Sequence, residues 1–129
     1  MSTIFARIIA GEIPCHKIWE DDRFFAFLDI NPVQHGMTLI IPKEEIDNSF
    51  DMPDELYCDF LKIAKKLYEP IRRAAGSERV GLVIEGLDVP HAHIKMIPIS
   101  KPGDLDQSNA KPATPEALTA MAEQIRGNL

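Results

Sequence analysis

Two histidines and a lysine stand at alternate positions in the run Val89-Pro90-His91-Ala92-His93-Ile94-Lys95-Met96-Ile97-Pro98. Side chains on an extended chain alternate faces. Extended backbone here predicts His91, His93 and Lys95 on one face, with Ala92, Ile94 and Met96 on the other and free to be buried. Neighbours on one face lie roughly 7 Å apart, two residues at ~3.3 Å each. Such a row can hold an anion, attack a phosphorus or decorate a sheet. A neutral imidazole offers an unshared nitrogen pair, and its other N–H can be fixed by a carbonyl. As a metal site the row is short of a third ligand, because a protonated lysine ligates poorly. No metal and no cofactor is therefore expected, and a metal-binding sheet protein is the weaker alternative.

The rest of the chain must position these groups. At 129 residues it is most simply one domain with a real core. Its net charge of −6 argues against binding nucleic acid or an anionic membrane non-specifically. Cys15 and Cys58 follow no C-x-x-C spacing and read as reduced thiols. No run is apolar for long enough to span a bilayer, and the N-terminus lacks the pattern of a signal peptide. The expected location is the cytoplasm.

Thr3 to Gly11 reads as a short helix, capped by Ser2 or Thr3 and ended by Gly11. Cys15–Trp19 and Phe24–Leu28 read as a hairpin around Glu20-Asp21-Asp22, and Thr38–Pro42 as a strand buried on both faces. Asp51-Met52-Pro53-Asp54 predicts a helix start with Asp51 as the cap. Leu56, Phe60, Ile63, Leu67, Ile71 and Ala74 then mark one apolar face of a long helix, in which Pro70 should be a kink or an end. Lys62, Lys65, Lys66, Arg72 and Arg73 lie mostly off that face and read as solvated surface. Arg79–Ile84 predicts a fourth strand, and Glu85-Gly86-Leu87-Asp88 a turn back to the histidine strand. Ser100–Ala113 reads as an extended loop, and Thr114-Pro115-Glu116 opens a last helix through about Arg126. This order fits an α+β fold with an antiparallel sheet.

The ordered set Ile4-Phe5, Ile8-Ile9-Ala10-Gly11-Glu12-Ile13-Pro14, Glu20-Asp21-Asp22, Ala26-Phe27-Leu28-Asp29-Ile30-Asn31-Pro32, Leu39-Ile40-Ile41-Pro42-Lys43 and Val89-Pro90-His91-Ala92-His93 resembles the histidine triad (HIT) family. The resemblance implies a HIT-like fold: an antiparallel five-stranded sheet with a long packed helix, the sheet continuing across a homodimer. It assigns 1–100 to the HIT domain and leaves 101–129 as a C-terminal loop and helix packed as an extension of it. HIT proteins bind nucleotides, and many split phosphoanhydrides or phosphoramidates through a nucleotidyl-histidine. By the motif match, His93 is the nucleophile, His91 orients the site or contacts phosphate, and Phe5, Ile8, Phe27 and Ile30 line the base pocket. Asp29 is the ribose ligand by the same match, although on its own chemistry it could instead cap the turn before Pro32.

The chain departs from the family pattern at several points. Lys95 stands at the third triad position, Met37 follows Gly36 where a histidine is usual, and Glu45 replaces the histidine after Ile-Pro-Lys. The loop before the triad is short and acidic, Glu85-Gly86-Leu87-Asp88, and the zinc cysteines of some members are absent from Ile4-Phe5-Ala6-Arg7. Lys95 can hold a phosphoryl oxygen and stabilise charge in the transition state. Glu85 or Asp88 would repel an anionic substrate unless paired with Lys95. The resemblance therefore implies a purine nucleotide or nucleotide conjugate as partner, and hydrolysis or transfer at the α-phosphate. The alternative is a nucleotide-binding or protein-interaction module that has lost turnover.

Overall fold

The computed structural model describes residues 3–129. Its elements are helix α1 (Ile4–Ile9), strands β1 (Lys17–Glu20), β2 (Phe24–Leu28) and β3 (Thr38–Pro42), helix α2 (Asp54–Ala75), strands β4 (Arg79–Val83) and β5 (Ile94–Ile99), and helix α3 (Pro115–Gly127). The strands form one antiparallel sheet in the order β1-β2-β3-β5-β4.

Alternation divides the sheet into two working faces. Phe24, Ala26 and Leu28 of β2, Ile40 of β3 and Ile94 and Met96 of β5 pack with Phe60, Ala64, Leu67 and Ile71 of α2 and with Leu118, Met121, Ala122 and Ile125 of α3. Phe24 and Phe60 stack with centroids 5.7 Å apart. Phe25, Phe27, Leu39, Ile41 and Ile97 turn to the opposite face, where Phe5 of α1 joins them. Lys95 pairs with Leu39 in the ladder and shares this second face, opposite the long helix. Because both faces are covered, β2 and β3 are buried throughout, as an uninterrupted apolar run requires.

Local chemistry explains several differences from the predicted boundaries. Met52, preceding Pro53, is held extended at φ −67°, ψ 144°, as the proline ring demands of its neighbour. A helix therefore cannot start at Asp51. That residue ends a short 3₁₀ turn, Ser49–Asp51, whose cap is Asn48, and α2 begins only at Asp54 with no side-chain cap. The helix does not end at Pro70: α2 runs on to Ala75, with the Pro70 ring buried beside Leu67 and Ile71. Continued burial of the apolar face outweighs the one backbone bond a proline cannot make. Gly76 ends the helix in the left-handed region at φ 68°, a conformation that only glycine adopts freely.

Thr3 caps α1 through a hydrogen bond accepted from the Ala6 N–H; the other expected cap, Ser2, lies outside the described residues. β1 begins at Lys17, not Cys15, and just before it the His16 carbonyl still accepts the Leu28 N–H at 3.0 Å. β4 stops at Val83, and β5 begins only at Ile94. The histidines thus precede the strand they were expected to occupy. Pro90 has no N–H for a ladder, and the Ala92 N–H donates instead to the Ile46 carbonyl at 2.7 Å.

Candidate active site

His91 and His93 have different surroundings. His91 is fully buried. Its Nε2 lies 2.8 Å from the Pro42 carbonyl oxygen and its Nδ1 2.8 Å from Thr3 Oγ1. A carbonyl only accepts, so Nε2 carries the ring proton, and Nδ1 accepts from the Thr3 hydroxyl. Thr3 Oγ1 in turn accepts the Ala6 N–H at 3.0 Å. One imidazole thereby ties the end of β3 to the N-terminus of α1. Glu45 reinforces that joint by accepting the Thr3 N–H at 3.0 Å. With both nitrogens engaged, His91 orients its surroundings and is not available to a phosphate; it lies behind the cleft.

The same reasoning fixes His93 the other way round. Its Nδ1 lies 2.8 Å from the His91 carbonyl oxygen. Nδ1 therefore holds the proton and donates it, and Nε2 carries the lone pair. The His93 ring is 1% exposed, and Nε2 has no hydrogen-bond partner. An unpaired buried nitrogen is costly and uncommon. The Phe5 ring meets His93 edge-on at 5.1 Å and His91 at 5.8 Å. The helix that His91 anchors thus wedges the nucleophile candidate in place.

His93 lines a cleft of about 260 Å³ together with Phe5, Ile8, Phe27, Leu39, Asp29, Ile30, Asp88 and Lys95. The structure therefore gathers every sequence-derived candidate around this cleft except His91. Phe27 packs edge-on to Phe5 at 5.6 Å, giving the cleft an aromatic floor. Ile30 stands exposed at the rim. Asp29 accepts the Asn31 N–H through Oδ1 at 2.8 Å, so the turn-capping role is met by one carboxylate oxygen.

Lys95 is buried and has three acceptors: Glu85 Oε1 at 2.9 Å, Gln107 Oε1 at 3.3 Å and Asp88 Oδ2 at 3.4 Å. Burial pulls the ammonium's pKa down. The Glu85 hydrogen bond and the charge of Asp88 outweigh it, and the net shift is upward. Burial likewise pushes the Asp88 carboxyl up, but the Lys95 charge and its other contacts hold it below its ordinary value. Asp88 Oδ1 also approaches His93 Nε2 at 3.2 Å. That contact suits an imidazolium and opposes the lone pair of a neutral ring. The Asp88 side chain, 58% exposed, thus sits where an electrophile would have to approach Nε2.

Gln107 and Thr3 were not among the expected site residues. Gln107 reaches Lys95 from a 3₁₀ turn, Gln107–Asn109, in the loop after β5, and no motif marks it. Met37, at 2% exposure, fills the position of a usual family histidine and receives the Val33 N–H on sulfur at 3.3 Å. It lines a cleft with Lys95, Glu85 and Gln107. Among the described residues, no three His, Cys, Asp or Glu side chains gather as a metal-binding group. Chemically, the arrangement presents an oriented imidazole nitrogen to a cleft, with an ammonium and the Asp88 carboxylate beside it. Such a nitrogen can attack an electrophilic centre while a cation holds its oxygen.

The five-stranded antiparallel fold is shared by solved proteins. The HIT domain model matches residues 10–101, and the chain belongs to the HIT family. It is 35% identical to the protein named "Protein hit" of Bacillus subtilis, over 98% of this chain and 93% of that one. Identity to the adenosine 5′-monophosphoramidase of Schizosaccharomyces pombe is 33%, covering all of this chain and 99% of the relative. The crystal structure of a Hit-like protein involved in cell-cycle regulation from Bartonella henselae, with an unknown ligand, superposes with a TM-score of 0.88. It is 28% identical and covers 99% of this chain and 96% of that chain.

Proposed function

We propose that the protein binds a purine nucleotide conjugate in the cleft and cleaves it at the α-phosphate through a covalent nucleotidyl-His93. The observation that carries this reading is the unpartnered, buried Nε2 of His93, with its proton fixed on Nδ1 by the His91 carbonyl. Phe5, Ile8, Phe27 and Ile30 would enclose the base, and the free oxygen of Asp29 would accept from the ribose hydroxyls. Lys95 would hold a phosphoryl oxygen. A nucleotide phosphoramidase-type activity is supported by the relatives named for it, among them the Schizosaccharomyces pombe enzyme. We place the protein in the cytoplasm as a homodimer; the unpaired edge strand β4, with Leu82 45% exposed, offers a surface for continuing the sheet.

In the first step Nε2 attacks phosphorus and the bond to the leaving group breaks. The leaving nitrogen or oxygen keeps the electron pair and takes a proton from solvent. Water then adds to the same phosphorus, Nε2 departs with its pair, and neutral His93 returns. The second reading is a binding module without turnover. It is favoured by Asp88, which occupies the approach to Nε2 while also pairing with Lys95.

Intact-protein mass spectrometry separates the two. Wild type and His93→Ala would be quenched cold after mixing with an adenosine phosphoramidate and, separately, a dinucleoside polyphosphate. A nucleotidyl adduct on wild type alone is expected. Nucleotide binding with neither adduct nor product would leave the module reading in its place.

A further inference from the structure

A second cleft, about 340 Å³, also reaches His93. Its wall includes Asp47, Asn48, Phe50, Glu85 and Leu87, and no lysine or arginine. Phe50 and Leu87 are 72% and 89% exposed and give it apolar sides. Glu85 is shared with the neighbouring cleft that holds Asp88, Lys95 and Gln107. Asp47 and Glu85 thus line this cleft, while Glu85 and Asp88 pair with the Lys95 ammonium next to it. The buried Nε2 of His93 makes no hydrogen bond, with Asp88 Oδ1 3.2 Å from it.

We propose that the Asp47–Glu85 cleft receives the leaving group and selects a cationic amine. The substrate class is then a nucleoside phosphoramidate whose amine carries a second, protonated nitrogen on a short apolar chain. The inference rests on reading His93 as the nucleophile. A polyphosphate leaving group would bring further negative charge against this wall, and Coulomb repulsion is weakly screened in a partly buried site. An ammonium there would donate charge-assisted hydrogen bonds to Glu85 and Asp47. Lys95 then serves the phosphoryl oxygen in exchange for Asp88, the more distant of its two carboxylates. The P–N bond breaks and the P–Nε2 bond forms. The amine nitrogen keeps the pair and gains a proton, and water completes the hydrolysis. In sum, one phosphoramidate monoanion and one water give one nucleoside monophosphate dianion and one alkylammonium.

The test uses the full chain and three adenosine 5′-phosphoramidates with equal three-carbon arms, made from 1,3-diaminopropane, propylamine and β-alanine. Both kcat/KM and affinity, by displacement of a fluorescent AMP analogue, would be measured at low and high salt. The ammonium conjugate should exceed the carboxylate conjugate by about tenfold or more at low salt, with the neutral one between and the ratio shrinking in high salt. Glu85→Gln and, separately, Asp47→Asn should each reduce the ratio; both side chains are exposed, so at least one variant will fold. Equal values for all three conjugates, or a preference for the carboxylate, would overturn the inference. Discrimination in affinity without turnover or a His93 adduct would overturn the hydrolase reading and leave the charge selection standing.

Discussion

At the scale of single residues, two histidines two positions apart do different work because each has a different carbonyl in reach. His91 spends both nitrogens on Pro42 and Thr3, whereas His93 spends only Nδ1. Removing each should therefore fail differently. His91→Ala strands the Thr3 hydroxyl and the Pro42 carbonyl beside a void, and should cost about 2–4 kcal/mol in urea unfolding. His93→Ala strands only the His91 carbonyl, should cost less than His91→Ala, and should abolish the nucleotidyl adduct. Lys95→Met should lower turnover by about 100-fold or more if the ammonium stabilises developing charge, a figure read from kcat with binding measured separately. Equal rates for Lys95→Met and wild type would remove Lys95 from the chemistry.

At the scale of elements, α1 is short but carries the Phe5 wedge, and its N-terminus depends on one hydroxyl. Thr3→Ala removes the cap on Ala6 and the donor to His91 together. It should destabilise by about 1–2 kcal/mol and weaken nucleotide binding, whereas Thr3→Ser should restore both. On the other face, α2 is held by burial. Phe60, at 0% exposure and stacked on Phe24, should cost about 3–5 kcal/mol when cut to alanine, with affinity for nucleotide unchanged in the folded fraction. α2 also carries Glu69, whose carboxyl the Arg72 hydrogen bond holds down at about 2, against an ordinary value of 4.5. A lowered carboxylate contributes stability above its unfolded value and loses it as pH falls through the folded one. Wild-type Tm should thus decline between pH 4.5 and 2, and Glu69→Gln should lack part of that decline. Because the group is exposed, the difference should be small and should fade in salt.

At the scale of the whole molecule, the sheet separates two tasks. One face binds α2 and α3 and supplies the core; the other, under α1, holds the cleft. With β4 at one edge, we expect sedimentation to give twice the chain mass, and a monomer at micromolar concentration would remove the homodimer from the proposal.

The sequence by itself determined what depends on neighbours along the chain. Strands β2 and β3, the apolar face of α2, the Gly76 stop and the ordered family motifs all follow from short-range periodicity and turn chemistry, and they carry the fold. The cleft residues Phe5, Phe27, Asp29 and His93 were legible because the motifs place them. Only the tertiary structure decided what depends on contacts between distant residues. Alternation alone puts His91, His93 and Lys95 in one row, but the Ile46 carbonyl draws the Ala92 N–H out of the ladder, and the row divides. Asp51 is lost as a cap because the proline two positions on fixes Met52 as extended. The cluster that Lys95 of β5 forms with Glu85, Asp88 and Gln107 joins that strand to two loops. Spacing named its two carboxylates as possible partners. Whether they meet the lysine, and that a glutamine joins them, is settled by packing, since a charge on a loop has no partner until the chain has closed around it.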